Sequence, residues 1–138
     1  MKIKLLRSES RAPHKAHKSD AGYDLYTPEE FVLKPNSFKK IKLGIAIEIE
    51  QDEVAIVQGR SGLAFKHGIT TIGNIIDSGY RGEIGCCLLN HSSEEITFKQ
   101  HDRIAQLLIV KLSTNESKIV DNLSNSDRGK SGFGSTGL

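Results

Sequence analysis

An all-β domain of the sandwich, barrel or jelly-roll type is what this sequence predicts, and three observations predict it. From Ile41 to Ile49 every odd position is apolar, with Lys42, Gly44, Ala46 and Glu48 between them. A period of two marks a strand with one buried face. Shorter apolar runs recur along the chain, separated by turn-forming residues. No long segment carries the 3.6-residue apolar period of an amphipathic helix.

In chain order, Pro35-Asn36 forms a turn before the strand run Ile41–Ile49, and Gln51-Asp52 forms one after it. Val54–Val57 is the next short strand. The one helical candidate is Ser61–His67, with Ser61 placed to cap its start and Gly68 to end it. Asp77-Ser78-Gly79 is a turn leading towards the strand Ile84–Leu89. Ile96–Phe98 is short, and Ile104–Leu112 is a longer strand entered through Gln100-His101-Asp102. From about Lys118 the chain turns polar. Residues 1–120 are therefore expected to form the domain, and 121–138 a flexible C-terminal arm. A chain of 138 residues is long enough to bury one real core.

Composition excludes several classes of function. A net charge of +2 implies no strong field for nucleic acid, so direct nucleic-acid binding is not expected. The opening Met1–Arg7 is too short and too charged for a signal peptide, and no apolar run approaches a membrane span. The two cysteines, Cys86 and Cys87, are adjacent, so on a strand they point to opposite faces and do not pair with each other. Reduced thiols in a cytoplasmic setting, or a nuclear or host-cytoplasmic one, are the expectation. His14, Lys15, His17 and Lys18 read as a solvated loop. His67 and His91 lack partners at metal-ligand spacing.

The last residues, Arg128–Leu138, cannot build a core, yet they suit phosphate. Amides beside glycine curl around anions, and the segment offers Gly134, Ser135 and Thr136 together with the forked donor of Arg128. Phe133 is an isolated flat ring suited to stacking on a base. A plain glycine-rich terminus has the same composition.

Four further islands interrupt the strand pattern: Ser19–Leu25, Gly59–Ala64, Gly73–Glu83 and Asp102–Leu107. In the second, Arg60, Ser61 and Gly62 stand where the helix begins, a place where free amides meet anions; a capped helix with a solvated arginine is the competing reading. In the third, Asp77 presents a carboxylate at a turn, either as an ordinary Asx-turn or as a base able to orient a water and take its proton. With the tail, these islands and their order closely resemble the five motifs of the trimeric dUTP pyrophosphatases (dUTPases), from Lys4 to Gly137.

The resemblance implies a jelly-roll homotrimer with shared active sites. It implies hydrolysis of dUTP to dUMP and pyrophosphate with Mg2+, which limits uracil in DNA and supplies dUMP for thymidylate synthesis. By the same resemblance Asp77 activates the water that attacks the α-phosphorus. Arg60, Ser61, Gly62, Gln106, Arg128, Gly134, Ser135 and Thr136 bind phosphates. Asn74, Ile76, Tyr80 and Phe133 form the nucleoside side, with Tyr80 packed under the deoxyribose so that a 2′-hydroxyl has no room. Asp24 stands near the water shell of the magnesium ion, which the substrate phosphates mainly hold; a structural role in its Gly-Tyr-Asp-Leu turn is the alternative for it.

Three positions depart from the family pattern: Gly59 replaces proline, and Asn74 and His101 replace glycine. Asn and His tolerate positive φ comparatively well, so both turns are expected to survive. Two other readings remain. A dCTP deaminase shares the fold, but here the Asp-x-x-Tyr hairpin and the tail are complete. A dUTPase fold kept as a nucleotide-gated protein-binding module is the other alternative.

Overall fold

A computed structural model describes residues 1–113 and 115–131. Strands β1 (Lys2–Leu5), β2 (Tyr23–Tyr26), β3 (Phe31–Leu33), β4 (Ser37–Lys42), β5 (Ile45–Glu48) and β6 (Glu53–Gln58) precede the helix α1 (Ser61–His67). Strands β7 (Ile69–Ile72), β8 (Ile75–Asp77), β9 (Gly85–Asn90), β10 (Ile96–Phe98) and β11 (Arg103–Lys111) follow it. A four-stranded sheet runs β2-β11-β6-β8 and a three-stranded one β4-β9-β7, with β1-β5 and β3-β10 as antiparallel pairs.

One core joins them. Leu25, Val57, Ile104 and Leu107 from the larger sheet share a cluster with Ile41, Ile69 and Leu88 from the smaller. Burying each such side chain contributes about 1.5–3 kcal/mol. Phe31 and Phe98 stack with ring centroids 4.9 Å apart, holding the β3-β10 pair together. This is the all-β, jelly-roll-like sandwich with one short helix that the apolar pattern predicts.

The run Ile41–Ile49 is two strands rather than one. The chain turns a corner at Gly44, whose φ of 68° suits glycine, and passes from the β4-β9-β7 sheet to the pair with β1. The Gly44 N–H donates to Glu83 Oε1 at 2.9 Å, and its carbonyl accepts from the Leu6 N–H at 2.8 Å. Odd positions stay buried on both sides of the corner. A period of two therefore persists in sequence while the strand itself breaks.

Helix α1 also differs at its start. Arg60, in extended conformation, occupies the cap position without a side-chain hydrogen bond, and Ser61 is the first helical residue. Gly68 ends the helix in the left-handed conformation as expected, its N–H donating to Ala64 and Leu63 carbonyls. Of the two turns expected to hold a non-glycine at positive φ, His101 does so at 68°. Asn74 does not, because Gly73 beside it takes that conformation at 69°.

Strand β11 ends at Lys111, with the Leu112 N–H still donating to the Asp52 carbonyl at 2.8 Å. The described residues 115–131 are exposed and form no strand or helix.

Candidate active site

Strand register places the candidate residues. On β11, Gln106 lies opposite Asp24 of β2 on one side and opposite Gln58 of β6 on the other. Three islands far apart in sequence thus meet across three neighbouring strands.

Their side chains form a tied cluster. Asp24 Oδ1 lies 3.4 Å from Arg60 Nε, and Asp24 Oδ2 lies 3.3 Å from Arg103 Nη1. Arg60 Nη1 also donates to the Arg103 carbonyl at 2.9 Å. The guanidinium of Arg60 is therefore held at two points, one charged and one neutral. Gln106 Nε2 donates to the Gly59 carbonyl at 3.0 Å, at the entry to the same loop. Room for Gln106 comes from Gly22, where an added Cβ would stand 2.7 Å from Gln106 Oε1.

Helix α1 begins beside this cluster. Leu63 and Ala64 N–H groups both donate to the Arg60 carbonyl. The Ser61 and Gly62 amides come before any i−4 partner exists within the helix. A Cβ at Gly62 would meet nothing within 4 Å, so packing in the chain does not demand glycine there.

The second cluster is the hairpin after β7. Strand β8 pairs with β6, with Asp77 opposite Val54 and Ile76 opposite Ala55. The Tyr80 N–H donates to the Asp77 carbonyl at 3.0 Å, closing a backbone turn, and Arg81 Nη1 braces it by donating to the Ser78 carbonyl at 2.6 Å. The turn uses the Asp77 backbone, and no described residue hydrogen-bonds or pairs with its carboxylate. That carboxylate is exposed and borders a cavity of about 590 Å³. Ile72, Ile76, Tyr80, Lys40 and Cys87 line the same cavity, and Lys42 and Glu83 join Lys40 and Asp77 to give its apolar wall two cations and two acids.

Asn74 holds the hairpin entry. Its Nδ2 donates to Thr71 Oγ1 at 3.3 Å, and its carbonyl accepts from the Val57 N–H at 2.8 Å. The side chain does not line the cavity, so a contact from it to a base requires the Thr71 pair to open. Asn74 Oδ1 is buried without a partner among the described residues.

The structure brings Asp24, Arg60 and Gln106 together, and separately Ile76, Asp77 and Tyr80. None of the first three lines the cavity bordered by the second three. Arg128 is exposed, with its side-chain hydrogen bond going to the Ser131 carbonyl at 3.0 Å. Phe133, Gly134, Ser135 and Thr136 lie outside the described residues. Arg103 is a member of the first cluster to which sequence reasoning attached no role. Its partner Asp24 sits on another strand, and no local pattern announces such a pair.

No group of three or more metal-ligating side chains occurs among the described residues. Both Asp24 oxygens face arginines, yet a carboxylate has about four acceptor sites, so it keeps capacity for a metal-bound water. That donor set fits a magnesium ion held mainly by phosphates, and does not fit an all-protein cage. The described helix is too short to cross a membrane.

Comparison with known proteins points one way. The dUTPase family matches residues 8–137. A deoxyuridine 5′-triphosphate nucleotidohydrolase of Clostridioides difficile is 44% identical over 140 residues, covering 100% of this chain and 98% of its own. One from Nautilia profundicola is 45% identical, covering 99% and 98%. Among solved structures, a dUTPase of Staphylococcus bacteriophage 80alpha with dUpNHpp superposes with a TM-score of 0.91 at 32% identity, over 99% of this chain and 98% of that one. A phage phi11 dUTPase described with a structural Mg(II) ion gives 0.83 at 27% identity, over 90% and 98%.

Proposed function

This chain belongs to the dUTPase family, and from that premise we propose how its residues divide the work of the reaction. The enzyme is a dUTP diphosphatase: it hydrolyses dUTP to dUMP and pyrophosphate. The observation that carries the assignment of roles is the uncommitted Asp77 carboxylate, presented by a braced turn at the rim of a cavity that Tyr80 also lines.

Asp77 orients a water for in-line attack on the α-phosphorus and accepts its proton. The new bond forms between water oxygen and phosphorus, the bond to the bridging oxygen breaks, and pyrophosphate leaves with the electron pair. Little else is covalent, so the remaining residues position the substrate and offset its charge. Arg60, held by Asp24 and the Arg103 carbonyl, meets the phosphates already oriented, which removes part of the entropy cost of ordering it. The Ser61 and Gly62 amides and the Gln106 amide add neutral donors. Open space over Gly62 supports close approach of a phosphate to the backbone.

Ile76 and the backbone of the hairpin receive uracil, with Asn74 at its base, and Tyr80 packs under the deoxyribose. A bound magnesium ion would supply charge neutralisation for the phosphates, which would mainly hold it. Asp24 contributes one acceptor to its water shell while keeping Arg60 in place. Residues 121–138 form an arm in which Arg128, Gly134, Ser135 and Thr136 close on the phosphates and Phe133 stacks on the base.

Asp24, Arg60 and Gln106 do not line the cavity bordered by Ile76, Asp77 and Tyr80, and this supports a homotrimer whose sites combine groups from different subunits. Light scattering tests the trimer. Pyrophosphate release measured across all deoxynucleotides tests the substrate, with activity confined to dUTP as the expected result. Asp77→Asn keeps the size of the side chain and removes the acceptor, so turnover should fall on the order of 10²-fold or more with dUTP binding kept. Near-normal turnover in that variant would remove Asp77 from its role.

A further inference from the structure

The attitude of the Tyr80 ring is set by Gly82 and Glu83, two and three residues further along the chain. Its hydroxyl donates to the Glu83 carbonyl at 3.1 Å. The end of its ring lies back over Gly82. A Cβ added at position 82 would overlap the Tyr80 hydroxyl oxygen and Cζ, and would stand 2.9 Å from Cε2. Gly82 does not have positive φ, so its backbone would accept a side chain. The demand for glycine here is therefore steric, and the group that makes the demand is the tyrosine ring.

Glu83 is in turn anchored to the body of the sandwich. Its Oε1 accepts from Arg7 Nη2 at 2.7 Å and from the Gly44 N–H at 2.9 Å, and Lys42 Nζ lies 3.7 Å from Oε2. The next residue, Ile84, is buried, and its carbonyl accepts from the Leu43 N–H at 3.0 Å. The carbonyl that receives the Tyr80 hydroxyl thus belongs to a segment tied to Arg7, just beyond the N-terminal strand, and to the corner at Gly44. It does not belong to the hairpin tip.

We propose that Gly82 and Glu83 are positioning residues for sugar selection: together they seat the Tyr80 ring at the one angle at which it walls the cavity against a 2′-hydroxyl. The inference rests on the reading of Tyr80 as the sugar gate. A wall excludes an added atom only if it cannot yield, and a hydrophobic pocket alone rejects an extra hydroxyl weakly. The hydrogen bond to Glu83 and the empty space of Gly82 supply that stiffness. Any side chain at 82 swings the ring off its seat and breaks its tie to Glu83.

The test is the ratio of kcat/KM for dUTP over UTP in the full-length enzyme and in Gly82→Ala, Tyr80→Ala and the double variant. Gly82→Ala should lower the ratio about tenfold. The double variant should match Tyr80→Ala alone, because the ring through which Gly82 acts is gone. A role in folding alone would depress both substrates equally and leave the ratio unchanged. If Tyr80→Ala lowers the ratio and Gly82→Ala does not, the seat is wrong and the gate stands. An unchanged ratio in Tyr80→Ala removes the gate, and the seat with it. Additive effects in the double variant would also overturn the inference. Should Gly82→Ala fail to fold, Tyr80→Phe deletes only the tie to Glu83, and the ratio should still fall several-fold. An unchanged ratio in Tyr80→Phe would then overturn it.

Discussion

Asp24 and Arg60 meet across the sheet with 3.4 Å between Oδ1 and Nε, and the second oxygen of Asp24 faces Arg103. Asp24, together with the Arg103 carbonyl, thus sets the direction of the arginine assigned to the phosphates. The pairs are partly exposed, with side-chain exposures of 29% for Arg60, 50% for Arg103 and 19% for Asp24. Their effect on stability should accordingly be small and their effect on substrate handling large.

Asp24→Asn should change the unfolding free energy by no more than about 1 kcal/mol, because partly exposed ion pairs contribute little. It should lower kcat/KM for dUTP about tenfold or more through misdirected Arg60. Chemical denaturation and steady-state kinetics measure both. A variant that unfolds far more easily, with full activity in its folded fraction, would make Asp24 structural.

Gly62→Ala separates a glycine needed by a ligand from one needed by the fold. Nothing in the chain stands within 4 Å of the added methyl, and alanine is the better helix former by up to about 1 kcal/mol. The thermal midpoint should hold or rise while dUTP turnover falls. A stable variant with unaltered kinetics would mean that no phosphate approaches Gly62 closely.

Sharing of sites between subunits is tested by complementation. Asp77→Asn protein and a form ending at residue 127 should each be inactive, and mixed trimers reassembled after mild denaturation should regain activity. In those trimers some sites would combine an intact base with an intact arm. Verified mixed trimers that stay as inactive as their parents would place the whole site within one chain.

The thiols should differ in reactivity. Cys86 is 4% exposed, and burial raises its pKa from an ordinary 9.0 to about 12, so it stays protonated at pH 8. Cys87 faces the other side of β9, is partly exposed and lines the cavity. A thiol titration of the native protein at pH 8 should therefore count one fast cysteine, and a second only in denaturant. The fast modification should slow when substrate analogue fills the cavity. Equal rates for both thiols in the native state would contradict this burial.

The alternating odd positions from Ile41 to Ile49 predicted which residues enter the core, and each of them is buried. They did not predict the corner at Gly44, because alternation records which face is apolar and not which strand lies alongside. Strand β8 was hard to see for another reason. Three residues, Ile75-Ile76-Asp77, are too few to show a period, and the pairing that makes them a strand comes from β6.

Residue types and their order along the chain determined the chemistry. An acid in a turn, an Arg-Ser-Gly run at the start of the one helix, and a glycine-rich basic tail are local statements, and local sequence carries them. Tertiary structure decided which of these groups touch. Register on β11 set Gln106 between Asp24 and Gln58, Arg103 joined Asp24 from a strand apart, and Glu83 took hold of both Tyr80 and the Gly44 corner. The physical reason is that a side chain's periodicity is set by its own backbone. Its partners are set by strand pairing and by the burial of one common core, and both are properties of the whole chain.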